Sequence, residues 1–196
     1  MRYMQKVVSA GIIVFRRTKE GIKFLLLYHG RNYWNFPKGK IESEEKSWQT
    51  AVREVHEETG LKANDLAFVG GFKAHERFTY QRGNEKIFKI VILYLAQTSQ
   101  SHIITEEGKH EGYGWFTFSE ARRVLEKHTD SQKILQRAHD FLRAKSQRRR
   151  RTDSARKNTY VPRGSATSRE PARLPRSREH PVEEPRHERS AVPPRH

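Results

Sequence analysis

The 196-residue chain carries 39 Lys+Arg against 23 Asp+Glu, a formal charge of +16, and has no cysteine. A disulfide framework, a thiolate nucleophile and a cysteine zinc site are therefore excluded, and no apolar run reaches the ~18 residues of a membrane helix. The positive excess favours acidic partners: nucleotides, polyphosphates or nucleic acid.

Residues MRYMQK at the start precede a short strand-like run, not a signal-peptide apolar region, so a cytoplasmic location is the expectation. Composition changes near residue 145. Seven of the eight prolines lie beyond it, and residues 146–196 hold 14 Lys+Arg and 6 Asp+Glu with no apolar period. Such a segment cannot bury enough surface to offset ordering entropy. The expected organisation is one catalytic-sized domain over 1–145 and a disordered Arg/Pro-rich tail over 146–196. Arg148, Arg149, Arg150 and Arg151 are the tail's densest charge and mark it as a candidate nucleic-acid arm.

In chain order, residues 7–16 read as a strand, with Gly11 a point of close backbone approach, and the apolar run 24–29 reads as a buried strand. A turn from Gly30 leads into Tyr33-Trp34-Asn35-Phe36, and Pro37-Lys38-Gly39-Lys40 forms a loop. A helix follows. Ser43 is its expected N-cap, with Glu44 and Glu45 suited to the positive end of the dipole. Trp48, Ala51, Val52, Val55 and Thr59 make its buried stripe, and Gly60 stops it. Residues 66–74 read as a strand, followed by a polar connection through Gly83-Asn84. Residues 87–96 form a long strand and 113–116 a short one. Ser119 caps a helix from Glu120, and a last helix over 131–143 buries Ile134, Leu135, Ala138, Phe141 and Leu142. Strands and three helices in an order that is not repeating βαβ predict an α/β fold, a mixed sheet covered on both faces.

Glu54, Glu57 and Glu58 stand at i, i+3 and i+4 and share one helix face. Three like charges there repel. A hard divalent cation such as Mg²⁺ resolves the conflict, since it takes carboxylate oxygens together with water and phosphate. Arg53, four residues before Glu57, can brace the cluster. Glu45 falls about 180° from Glu54 on a regular helix, which points to the loop–helix junction.

The spacing from Gly39 through Glu45 to Arg53-Glu54-Val55-His56-Glu57-Glu58-Thr59-Gly60-Leu61 resembles the Nudix box at all nine specified positions. Four further stretches resemble the asymmetric diadenosine tetraphosphate hydrolases of that superfamily: WNFPKGKIE at 34–42, Gly71-Phe72-Lys73, KIVILYLA at 89–96, and His110-Glu111-Gly112-Tyr113-Gly114-Trp115. The similarity covers residues 7–143. It implies a Nudix α/β/α sandwich and Mg²⁺-dependent hydrolysis of a nucleoside diphosphate linked to another moiety, with Mn²⁺ as the alternative ion. Diadenosine tetraphosphate would give ATP and AMP.

Carried over residue by residue, the resemblance makes Glu57 and Glu58 metal ligands and Glu54 a ligand or the base. The Gly39 carbonyl completes the shell, and Arg53 orients the glutamates. Lys38 and Lys89 would contact phosphates; Tyr80 and Tyr113 would stack on a base or bond a phosphate. One departure stands out. Many relatives carry a glutamate immediately before the histidine, where this chain has Lys109. Glu106, Glu107 or Glu111 would have to replace it, or Glu54 acts alone as base. The other readings are an RNA 5′-pyrophosphohydrolase, a diphosphoinositol polyphosphate hydrolase, and a nucleotide- or RNA-binding regulator on the same scaffold. The intact Arg53, Glu54, Glu57 and Glu58 argue against the regulator.

Overall fold

The computed structural model describes residues 5–105 and 110–158, with side chains to 154. Among the described residues, eight strands, three helices and a 3₁₀ turn at Ala63–Asp65 follow one another: β1 (Gln5–Thr18), β2 (Gly21–Tyr28), β3 (Trp34–Asn35), β4 (Lys38–Lys40), α1 (Ser47–Thr59), β5 (Ala67–Phe68), β6 (Ala74–Arg82), β7 (Glu85–Gln97), β8 (Gly112–Thr117), α2 (Phe118–Val124) and α3 (Thr129–Asn158). All strands join one mixed sheet. β1 runs parallel to β7, and the other pairings are antiparallel.

β1 is buried on both faces, and its alternation sorts the core into two layers. Ile13 and Phe15 pack with Leu26, Leu93 and Leu95 under Leu135, Ala138 and Leu142 of α3. Ala10, Ile12 and Val14 pack with Leu25 under Ala51 and Val55 of α1. This is the expected α/β/α sandwich. Each fully buried Leu, Ile or Val contributes about 1.5–3 kcal/mol; Ile134, Leu135 and Leu142 anchor α3, and Val55 with Ala51 anchors α1.

β1 and β2 pair only over Phe15–Thr18 and Gly21–Phe24, then splay. β3 takes the freed edge of β2, and β4 takes that of β1 at Ser9, Ala10 and Gly11. The segment carrying Pro37, Lys38 and Gly39 is thus wedged into the sheet facing α1.

Several boundaries differ from the sequence reading. Of the predicted strand 66–74, Ala67–Phe68 pairs as β5 and Ala74 opens β6, which runs hydrogen-bonded along β7 through the predicted polar connection. Only Ala74 and Glu76 of β6 are buried and its other residues are exposed, so it lacks the apolar density that marks a buried strand. Gly83-Asn84 is the turn of that hairpin, with Gly83 at φ +59°. α1 starts four residues after Ser43. Its first turn is closed instead by Gln49, whose Oε1 accepts from the Lys46 N–H at 2.9 Å. Trp48 is 52% exposed and does not join the buried stripe; Thr50 and Glu58 are buried. Gly60 does end the helix, at φ +69°. Thr117, not Ser119, caps α2. α3 continues to Asn158, so the first thirteen residues of the predicted tail are helical; the tail beyond lies outside the described residues. No helix among the described residues is long and apolar enough to cross a membrane.

Candidate active site

The site begins at a contact only glycine permits. A Cβ on Gly11 would lie 2.2 Å from the Pro37 carbonyl oxygen and 2.5 Å from Lys38 Cβ. Its absence lets β4 seat against β1, with the Ile12 N–H donating to the Pro37 carbonyl at 3.2 Å. That seating presses Gly39 on α1. A Cβ on Gly39 would fall 1.9–2.0 Å from the Glu54 carboxylate.

Arg53 organises the carboxylates. Its Nε and Nη2 donate to the two oxygens of Glu45 at 2.8 and 3.0 Å. Its Nη1 donates to Glu54 at 2.8 Å and Glu57 at 3.3 Å, and Nη2 also reaches the Lys40 carbonyl at 3.1 Å. A planar guanidinium suits such paired contacts. Glu45 precedes the helix, so it lies at the loop–helix junction as expected. The helical angle that separates it from Glu54 does not apply there, and its side chain folds back to hold Arg53. The Arg53 and Thr50 hydrogen bonds hold the Glu45 carboxyl down at about 2.

Glu58 is buried and turns the other way. Its Oε2 accepts the Lys38 N–H at 2.9 Å, and its Oε1 lies 3.2 Å from Nε2 of buried His110. His110 meets His29 edge-on, ring centres 4.6 Å apart. Burial first, then Lys38 and His110, pushes His29 down to about 4.

Lys38 and Lys89 occupy one electrostatic neighbourhood. Burial lowers Lys38, while Glu76, Glu58 and Glu54 oppose that shift. Burial also lowers Lys89, helped by the charge of Lys38 and opposed by Tyr33, Glu76 and Glu54. Glu76 on β6 is buried and accepts from Ser131 Oγ at 2.5 Å. Beside it opens a cavity of about 320 Å³ lined by Tyr33, Asn35, Glu76, Phe78, His128 and Ser131. The Asn35 amide donates to the Tyr33 hydroxyl at 2.7 Å, which fixes one wall.

Gly39, Arg53, Glu54, Glu57, Glu58, Lys38 and Lys89 therefore come together. The two tyrosines do not. Tyr113 packs on the α1 side of the sheet, its hydroxyl accepting the Ile103 N–H at 3.3 Å. Tyr80 stands on β6 beside Phe78, ring centres 6.1 Å apart. Glu106, Glu107 and Lys109 lie outside the described residues. The Glu111 carboxylate rests against Gly30, where a Cβ would meet it at 2.1 Å. Glu76, Tyr33, Asn35 and His110 were not expected at the site. Glu76 lies in the polar stretch expected as a connection. The alternation of Ala74, Glu76, Phe78 and Tyr80 was the signal available for it.

Among the described residues no three carboxylates or imidazoles close around one point. The donors nonetheless suit a hard ion. Glu54 and Glu57 converge on one guanidinium nitrogen, and the Gly39–Glu54 contact sets main chain beside a carboxylate.

The family profile described as the NUDIX domain matches residues 5–138. The chain belongs to this family and is a Nudix hydrolase, a pyrophosphohydrolase acting on phosphoric anhydride bonds. Within the family it is similar to the bis(5′-nucleosyl)-tetraphosphatase [asymmetrical] of Sus scrofa, 33% identical over 143 residues, covering 68% of this chain and 94% of that protein. The Caenorhabditis elegans protein of the same description is 26% identical over 139 residues, 69% of this chain and 96% of its own. A C. elegans Ap4A hydrolase binary complex superposes with a TM-score of 0.61 at 25% identity, covering 70% of this chain and 98% of that one. The NUDIX domain of Shewanella oneidensis NrtR, crystallised with ADP ribose, shares the fold at a TM-score of 0.54 and 14% identity, over 71% and 90%.

Proposed function

We propose that this enzyme hydrolyses dinucleoside polyphosphates asymmetrically, with Mg²⁺, and converts diadenosine tetraphosphate to ATP and AMP. The observation that carries this reading is the line of groups from the box carboxylates through Lys38 and Lys89 to Tyr33 and the cavity beyond. A polyphosphate laid along it meets cations at its phosphates and a walled pocket at its nucleoside. The similarity to two bis(5′-nucleosyl)-tetraphosphatases supports the same substrate class.

Glu54, Glu57, Glu58 and the Gly39 carbonyl would hold the metal, with Mn²⁺ able to stand in for Mg²⁺. The ion supplies neutralisation of phosphate charge and a lowered pKa for water. The chain's residues do the positioning. Arg53, locked by Glu45, fixes the carboxylates of Glu54 and Glu57. Glu54 takes the proton of the attacking water or serves as a ligand. Lys38 and Lys89 bind phosphate oxygens, and their shared burial makes each cation count for more than at the surface. Tyr33 and Phe78 line the nucleoside pocket, with Tyr80 next to Phe78. Tyr113 braces the loop at Ile103 from the opposite face.

The test is a substrate panel at fixed Mg²⁺: diadenosine tetraphosphate, 5′-triphosphate RNA, nucleoside triphosphates, ADP-ribose and diphosphoinositol phosphates. The tetraphosphate should show the highest kcat/KM. A tenfold preference for any other member would replace this reading with that substrate. Absence of turnover throughout would favour a binding protein.

A further inference from the structure

A second surface carries cations and an exposed aromatic, away from the box. A groove of about 320 Å³ runs between the β5 edge, the end of β1 and α3. Arg17, Lys145 and Arg149 line it, and among the described residues none that lines it is acidic. All three cations are exposed. Phe68 stands in its wall, 45% exposed, with Tyr94 edge-on behind it at 6.3 Å. Arg17 is steadied by Gln97 Oε1 at 3.3 Å and reaches Ser146 Oγ at 3.5 Å.

From this groove α3 runs on past its last buried core residue, Leu142. The sequence 143–158 reads RAKSQRRRRTDSARKN and has no apolar residue larger than alanine. It therefore has no face for a lipid interior or a partner helix. Arg148, Arg149, Arg150 and Arg151, at 100° per residue, spread charge around most of the helix axis. Such a rod attracts closely spaced anions from any side.

We propose that this surface docks single-stranded nucleic acid. One base stacks on Phe68 while its flanking phosphates meet Arg17, Lys145 and Arg149, and the strand continues along the arginine rod. Stacking is open to every base, so the surface is not sequence-specific. An unpaired strand fits better than a duplex because only its bases can turn onto an aromatic face.

The test uses the full-length chain and a fluorescein-labelled 15-nucleotide oligouridylate, titrated from 50 to 300 mM salt. Phe68→Ala should weaken binding roughly 5-fold or more with the salt slope unchanged. Replacing Arg148, Arg149, Arg150 and Arg151 by Gln should weaken it at least about 10-fold and flatten the log–log salt slope by about 3, near 0.7 per lost phosphate contact. Neither variant touches the box, so both should hydrolyse small dinucleotides at the wild-type rate; the arginine variant should unfold near the wild-type urea midpoint, and Phe68→Ala modestly below it because it loses the contact with Tyr94. Unchanged affinity in Phe68→Ala overturns the proposal. So does equal or tighter binding of a 15-base-pair duplex, or a stronger preference for anionic phosphatidylserine vesicles. None of these outcomes bears on which small substrate the box cleaves.

Discussion

Gly39→Ala probes the joint on which the active site is built. The φ of Gly39 is ordinary, so alanine brings no backbone strain; the difficulty is space. Its Cβ would stand 1.9–2.0 Å from three atoms of the Glu54 carboxyl group. Restoring an ordinary contact near 3.4 Å displaces that carboxylate by about 1.4 Å. The 2.8 Å bond from Arg53 Nη1 would then be lost or redirected. The clashing atoms are the end of a flexible side chain, so the fold can accommodate the change at about 1–2 kcal/mol, the low end for overpacking. Catalysis is less tolerant, because a misplacement of about 1 Å costs on the order of 100-fold. The expected result is a kcat/KM roughly 100-fold below wild type, with only a modest fall in melting temperature. Initial rates under saturating Mg²⁺, paired with thermal unfolding, measure both. A variant that keeps a third or more of wild-type activity would refute the placement of Gly39 against a working Glu54.

Further predictions concern charge. The Glu45 carboxyl sits at about 2, below its ordinary 4.5. Its hold on Arg53 is thus fully present above pH 4.5 and is lost as pH falls toward 2. Glu45→Gln should remove that part of the acid dependence of the urea midpoint; an unchanged profile would mean that the pair contributes nothing. His29 is lowered to about 4, and among the described residues its buried Nε2 has no hydrogen-bond partner. Neutral His29 therefore stabilises the fold above pH 6.5, and that contribution is lost as pH falls through 4. Its imidazole resonance should titrate near pH 4, and a midpoint above 6 would contradict its burial. Lys89→Ala should lower kcat/KM for a tetraphosphate about 10- to 100-fold with unfolding little changed; an effect under twofold would remove Lys89 from the phosphate path.

The box was legible because its chemistry is local. Gly39, Arg53, Glu54, Glu57 and Glu58 are tied by loop and helix spacing, and Gly11 announced the close approach that seats the loop. Residues that reach the site from distant strands were not legible. Glu76 and Phe78 come in on an edge strand whose polarity resembles a connection. Tyr33 and Asn35 arrive through the splay of β1 from β2, which no local pattern encodes. Glu45 was placed correctly at the junction, but its grip on Arg53 depends on how the chain enters the helix. Tyr80 and Tyr113 share a residue type, yet they sit on separate parts of the sheet. The helical run past residue 145 follows from Ala, Lys, Gln and Arg, all good helix formers, in a segment judged by its lack of an apolar period.

The central claim is asymmetric, metal-dependent cleavage of a dinucleoside tetraphosphate at the box. Its most direct test is chromatographic identification of the nucleotides released from diadenosine tetraphosphate by the wild-type chain with Mg²⁺, with EDTA, and by Glu57→Gln. ATP and AMP are expected in equal amounts with Mg²⁺, no products with EDTA, and a rate lowered by orders of magnitude in the variant. Two equivalents of ADP, or a wild-type rate from Glu57→Gln, would contradict it.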